Sequence, residues 1–180
     1  MLRSNALEVI AAYQGNSLQQ LQLRERYLQF LALNENAMFR ECVAGHLTGS
    51  ALVFDPATDQ VLLTHHRKSG RWLQFGGHCD ANDPTLAYVA QREAVEESGL
   101  QDLKVLNDPV DLDEHELGPN FSCAPTHLDV RFLALASSSQ VPTTSEESHD
   151  VRWFPAAAPE ITDASLRRLI EVSRQIAGGR

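Results

Sequence analysis

Glu93, Glu96 and Glu97 fall at positions i, i+3 and i+4 of a stretch that reads as a helix, so they share one face. Like charges at that spacing repel by a few tenths of a kcal/mol per pair. Glu96 and Glu97 also fall in the last turn, where the helix dipole disfavours anions by roughly 0.3–1 kcal/mol each. Arg92 stands beside them, but one guanidinium does not neutralise three carboxylates. Oxygen donors grouped this way suit Mg²⁺ or Mn²⁺, hard cations that keep some waters and share their coordination with substrate phosphates. A solvated acidic face is the plain alternative. Against it, the same face one turn earlier carries Leu86, Val89 and Ala90, so the acidic stripe continues an apolar one and should emerge at the rim of a buried surface.

The helix that must hold these groups is expected from about Pro84 to Ser98. Asp83 followed by Pro84 predicts an N-cap and a first helical residue, and Gly99 predicts the C-terminal stop. Before it stand the pair Gly76-Gly77, then His78 and Cys79. Earlier still, His65 to Arg71 forms a basic patch between the apolar run Val61-Leu62-Leu63 and the segment Trp72 to Phe75. That patch predicts a loop at the mouth of the acidic site, where Arg67 and Arg71 would offset phosphate charge. Solvated charges on a turn are the alternative.

Gly77 and the run Arg92, Glu93, Ala94, Glu96, Glu97, Gly99, Leu100 resemble the signature of the Nudix hydrolase superfamily. Two departures accompany the match. Asp83 stands where the signature has glutamate, and the interval from Asp83 to Arg92 is one residue longer than the pattern. A plain N-cap role for Asp83 is therefore weighed beside a metal-linked one. The resemblance implies divalent ions held by Glu93, Glu96 and Glu97, with the Gly77 carbonyl as a further ligand. It also implies a carboxylate from a later loop as ligand or base. Glu147, six residues before Trp153, is the first candidate and Glu146 the second; both lie in a Ser/Thr/Glu-rich stretch from Ser137 to Ser148 whose other reading is a solvated loop. The fold implied is an α/β (α+β) arrangement, an α/β/α sandwich with a mixed sheet, over about Val43 to Phe154. The activity implied is pyrophosphohydrolysis, the cleavage of a diphosphate linkage in a nucleoside diphosphate derivative or related small molecule. The glutamates would neutralise charge through the ions, and a metal-bound water would attack phosphorus.

Other elements follow from periodicity. Asn5 to about Leu33 carries helical spacing broken at Gly15, which predicts two helices ahead of the core. They form an N-terminal extension over residues 1–40, before a domain at 41–180; such an extension packs on the sheet, shapes the pocket or forms a homodimer interface. Gly45 to Phe54 predicts a strand with His46, Thr48 and Ser50 on one face, and His46 is a candidate for base or sugar contact. Asp102 to Leu112 predicts a strand, and Asp113 to Pro125 a loop. His127 to Leu135 alternates His127, Asp129 and Arg131 against apolar residues. Three titratable groups on a core strand face are costly if simply buried, so they form a paired network or face the pocket. Arg131 is then a candidate for phosphate, His127 for base or phosphate, and His78 for substrate contact. A strand from Val151 to Phe154 and a helix from Ser165 to Ile176 complete the pattern.

Composition sets the remaining bounds. The 180 residues are 43% hydrophobic and 22% charged, which suits one domain with a full core. No apolar run approaches the ~20 residues of a membrane span, and the first residues lack a signal peptide pattern, so a cytoplasmic location is expected. A formal charge of -9 argues against a broad nucleic-acid surface. Cys42, Cys79 and Cys123 are odd in number and widely spaced, which suits reduced thiols. Two rival readings remain beside hydrolysis. One is an isoprenoid-diphosphate isomerase of the same superfamily that would use Cys79 in proton transfer. The other is a non-catalytic nucleotide-binding or regulatory module on the same fold.

Overall fold

The computed structural model describes residues 1–116 and 126–179. Cys123 and most of the loop expected between Asp113 and Pro125 lie outside the described residues. Among those described, the elements in chain order are helices α1 (Leu2–Ala12) and α2 (Leu18–Leu33), strands β1 (His46–Asp55), β2 (Gln60–His66), β3 (Arg71–Leu73) and β4 (Phe75–His78), helix α3 (Leu86–Ser98), strands β5 (Lys104–Val105), β6 (Asp111–Glu116), β7 (Thr126–Leu135) and β8 (Ser148–Pro155), and helix α4 (Ala164–Gly178).

All eight strands join one mixed sheet. β1 lies at its centre and is buried along its whole length. One edge of β1 runs parallel to β7 from His46↔His127 to Phe54↔Leu135. Its other edge is shared, with β4 pairing the first half and β2 the second, both antiparallel. β6 and β5 divide the far edge of β7 in the same way.

Strand alternation assigns the two faces. Leu47, Ala51 and Val53 of β1, with Leu128, Val130 and Phe132 of β7, meet α1, α2 and α3 in one apolar core. Leu52, Phe54 and Leu133 point to the other face and meet Leu166, Leu169 and Ile170 of α4. That second face is apolar only over half its length. The other half carries His46, Thr48, Ser50, His127, Asp129 and Arg131, all buried.

Several boundaries differ from the sequence expectations, each for a physical reason. α3 starts at Leu86, not Pro84, because the Thr85 hydroxyl takes the capping position and accepts from the Tyr88 N–H at 3.1 Å; Asp83 is not the cap. Gly99 ends the helix as expected, in the left-handed region at φ 72°, where an L side chain is strained. The strand expected over Asp102–Leu112 is two short pieces, β5 and β6. β6 runs on through Asp113 to Glu116, residues expected in a loop, because cations from other elements satisfy its alternating acids. His65, His66 and Arg71 belong to the paired strands β2 and β3, so only the turn between them remains of the basic loop.

The N-terminal helices are wired into the core by polar groups as well as by packing. The Gln20 side chain donates to the Leu112 carbonyl and accepts from the Leu112 N–H, both at 2.9 Å. It thus continues the sheet ladder at the edge of β6. The Tyr27 hydroxyl donates toward the Asp113 carbonyl at 2.8 Å. From α1, the Asn5 carboxamide oxygen accepts from the Leu86 N–H at 2.9 Å, satisfying one of the unpaired donors at the start of α3.

Where β1 ends, buried Asp55 accepts from the N–H groups of Ser138 at 2.7 Å and Ala57 at 2.9 Å and from the Thr58 hydroxyl at 2.9 Å. Burial alone would raise this carboxyl, but these donors lower it from 3.8 to about 2. A depressed carboxyl stabilises the fold above its unfolded value near 4 and loses that contribution as pH falls through the folded value. The whole contribution is about 2 kcal/mol. Urea unfolding between pH 4 and 2 should therefore show a shallower fall in stability for Asp55→Asn than for the native chain, and parallel curves would refute the assignment.

Candidate functional site

Glu93 and Glu97 extend the buried stripe of α3, one and two turns beyond Val89 and Ala90. Their carboxylates meet β4, where the glycine pair makes room. A Cβ built on Gly77 would stand 2.6 Å from the Glu93 carboxyl carbon. One built on Gly76, facing the other way, would stand 2.3 Å from the Ser50 Cβ and 2.7 Å from its Cα. The two glycines thus serve different neighbours: Gly77 opens the carboxylate site, and Gly76 lets β4 lie close on β1.

Glu97 is 6% exposed, and its Oε1 accepts from the Gly76 N–H at 3.1 Å. Burial pushes its carboxyl up to about 8; the Gly76 N–H opposes that rise, and the charges of Glu93, Glu147 and Glu96 add to it. Glu93 is raised as well, mainly by burial and against the pull of Arg92. Glu96 is largely exposed and touches Arg92 at 3.5 Å, so it sits at the rim.

Arg92 organises this end of the helix. Its Nε and Nη2 reach the two oxygens of Asp83 at 3.3 and 3.1 Å. Its Nη1 donates to Glu93 at 2.8 Å, and its Nη2 donates to the His78 carbonyl at 2.9 Å. Burial disfavours the cation, yet Asp83 and Glu93 hold it charged. Asp83, 5% exposed, also accepts from the Asp80 N–H at 2.7 Å. It is therefore the anchor of Arg92, a role that residue spacing alone did not suggest.

Glu147 lies on the exposed turn just before β8, and its charge acts on both Glu93 and Glu97. Of the two loop candidates, Glu147 is the one among the leading influences on both glutamates. The Arg67 N–H donates to the Glu147 carbonyl at 2.9 Å, and its Nε donates to the Ser148 carbonyl at 3.0 Å, so Arg67 stands beside the acidic group. Arg71 stands apart from it, in an ion pair with Asp163 at the start of α4.

The remaining candidates occupy the polar half of the opposite sheet face. Arg131 is enclosed by Asp129 at 3.1 Å, Asp113 at 3.0 Å and Asp111 at 3.3 Å, which keep it charged despite burial. Arg168 of α4 adds contacts to Asp111 at 2.9 Å and Asp113 at 3.0 Å. Asp129 accepts in addition from Thr48 at 3.0 Å and Ser50 at 2.7 Å. Arg131 thus belongs to a closed network, the paired alternative, with its guanidinium committed to three carboxylates. His46, His78 and His127 meet one another with ring centroids 4.6–5.1 Å apart. Burial lowers the pKa of all three, His78 to about 4 and His127 to about 3, so they are neutral at pH 7. The sequence names each histidine separately; that they meet depends on strand register, which spacing does not give.

Cys79 is buried, and burial pushes its thiol up to about 12. A thiol so placed is a poor proton donor or nucleophile, which removes the feature that suggested an isomerase.

As oxygen donors the carboxylates of Glu93, Glu96 and Glu97 suit a hard divalent cation, while their oxygens stand farther apart than the 4.8 Å to which the histidine group closes. A carboxylate as deeply buried as Glu97, with one N–H donor among the described residues and three acidic neighbours, is satisfied by a cation that Arg92, committed to Asp83, does not supply.

A family model described as NUDIX domain matches residues 46–171. A search of curated proteins found no sequence match. Among solved structures, the Ap4A hydrolase of C. elegans in a binary complex aligns with TM-score 0.62 and 16% identity, covering 74% of this chain and 98% of that one. The NUDIX domain of Shewanella oneidensis NrtR complexed with ADP ribose gives 0.60 and 21%, covering 83% and 97%. The E. coli dihydroneopterin triphosphate pyrophosphohydrolase gives 0.59 and 19%, covering 69% and 92%. At these identities the likeness is one of fold.

The two glycines allow a separation of site from scaffold. Gly77→Ala should displace the flexible end of Glu93 and abolish metal-dependent turnover while shifting Tm by no more than a few degrees. Gly76→Ala drives a methyl into backbone and should destabilise the fold by about 1–3 kcal/mol. Thermal melts beside activity assays check both, and equal melting of the two variants would contradict the assignment.

Proposed function

Because the chain belongs to the NUDIX domain family of pyrophosphohydrolases, we propose that it cleaves a diphosphate linkage in a nucleoside diphosphate derivative with Mg²⁺ or Mn²⁺ held by Glu93 and Glu97. Glu96 at the rim and the Gly77 carbonyl complete the proposed ligands. The observation that carries this reading is the burial of Glu97 against β4 beside the charges of Glu93 and Glu147. A divalent ion bound there supplies charge neutralisation on the phosphate oxygens and lowers the pKa of a bound water.

The protein's own groups do the positioning. Arg92 fixes the Glu93 carboxylate through Nη1 and braces the His78 carbonyl and Asp83 through Nη2. This holds α3 and β4 at one separation whether or not substrate is present. Glu147, exposed where its charge reaches both ligands, accepts the proton of the attacking water at a carboxylate oxygen. Arg67 at the same turn offsets phosphate charge.

The three solved neighbours are named for Ap4A hydrolysis, dihydroneopterin triphosphate pyrophosphohydrolysis and a complex with ADP ribose. These share a phosphoanhydride and differ in what flanks it. The proposed carboxylate site reads that shared part, so the substrate class here is a compound with two or more linked phosphates and a nucleoside-like group.

A panel of ADP-ribose, diadenosine tetraphosphate and dihydroneopterin triphosphate, with Mg²⁺ or Mn²⁺, tests the proposal. At least one should turn over, with a loss of about 10²-fold or more in Glu97→Gln and in Glu93→Gln and full loss with chelator. Undiminished turnover in Glu97→Gln would overturn the assignment, and tight binding without turnover would make the chain a ligand-binding module.

A further inference from the structure

His46 and His127 are direct partners across the parallel β1–β7 pairing. His78 enters from β4, opposite Thr48 on the other edge of β1. Ring centroids stand 4.6 Å apart for His46–His127, 5.0 Å for His46–His78 and 5.1 Å for His78–His127. His46 is fully buried, and among the described residues neither of its ring nitrogens has a hydrogen-bond partner; the same holds for the buried Nε2 of His78. A buried polar atom left without a partner costs about 1–3 kcal/mol, so packing alone does not account for this arrangement.

We propose that His46, His78 and His127 form a second metal site, for Zn²⁺ or an ion of like preference, separate from the carboxylate site. One nitrogen from each ring lies within 4.8 Å of the other two. Among the described residues this is the group of His, Cys, Asp or Glu side chains that closes to such a distance; Glu93, Glu96 and Glu97 do not. In a tetrahedral zinc site with Zn–N of about 2.0–2.1 Å, ligand nitrogens stand about 3.3 Å apart, so small rotations of the rings close the remaining gap.

The donor class sets the choice of ion. Three neutral nitrogens without a carboxylate suit zinc and its neighbours in the first row and suit Mg²⁺ poorly. Three protein ligands leave a fourth position for water. Beside the trio, His115 lies 5.6 Å from His127 and has its Nδ1 3.1 Å from Asp113, so it flanks the site without joining it.

The two sites lie back to back across β4. Gly77 faces Glu93, and alternation turns the next side chain, His78, to the other face. An ion on the histidines would tie β1, β4 and β7 together at one end of the sheet. The proposal does not rest on the hydrolytic reading, because its donors and its readout are different.

Chelator-stripped protein, held in excess Mg²⁺ to saturate oxygen sites, is titrated with Co²⁺ while visible absorption is recorded. Zinc retained after dialysis is measured by elemental analysis. One equivalent of Co²⁺ should give the strong bands of a four-coordinate site, and one zinc should be retained per chain. Affinity should fall by more than about tenfold in His46→Gln and His127→Gln and stay unchanged in Glu93→Gln and Glu97→Gln. Circular dichroism confirms folding; if the buried His46 variant does not fold, the half-buried His78→Gln gives the same reading. Absence of bands and of zinc in the folded native chain, or binding that survives in the histidine variants, or binding lost with the glutamates, would each overturn the proposal and leave a cluster of neutral rings in tilted and edge-to-face contact.

Discussion

The guanidinium of Arg92 is the joint on which the site hangs. It ties together three pieces of chain: the last turns of α3 through Glu93 and Glu96, the connection before α3 through Asp83, and the end of β4 through the His78 carbonyl. Each bond is charge-assisted or made to a buried carbonyl, and the planar fork allows no single contact to shift alone. With Arg92 so committed, buried Glu97 is left, among the described residues, to one backbone N–H. The scaffold therefore uses its cation to fix shape and leaves Glu97, whose carboxyl burial pushes up to about 8, without one.

The two faces of the sheet solve the problem of buried charge in opposite ways. Toward α3, Glu93 and Glu96 share the one cation of Arg92, and Glu97 is met by the Gly76 N–H. Toward α4, Asp111, Asp113 and Asp129 are closed against Arg131 and Arg168, and the hydroxyls of Thr48 and Ser50 complete Asp129. Breaking one member of such a network exposes the others as unpaired charges in a dry interior, so it ties the register of β1, β6 and β7 together.

Much of this was legible in the residues. The three glutamates, the glycine stop and the apolar stripe that precedes them lie within one helix, and spacing reports such local geometry directly. The strand of His46 and that of His127 were legible from alternation, and so were the two N-terminal helices with their break at Gly15. What sequence could not report depends on partners from distant elements. Asp113 and His115 read as a loop because the stretch that they open holds Gly118, Pro119 and Pro125; in the fold Arg131 and Arg168, from β7 and α4, pair with Asp113, which in turn meets His115. Asp83 read as a cap because Asp-Pro commonly begins a helix, whereas burial beside Arg92 made the ion pair the stronger interaction and passed the capping to Thr85. The histidine trio follows from a parallel register and an antiparallel one meeting at β1, and no local pattern encodes either.

The docking of the first two helices bears on where this unit of structure begins. The family match opens at residue 46, yet the Leu86 N–H is met by Asn5 and the edge of β6 by Gln20. A shortened chain cut to the match would start α3 with a donor short of its acceptor and present β6 as an open edge. Unpaired strand edges recruit strands from other molecules. The N-terminal helices thus cover a strand edge and a helix start that lie inside the matched region.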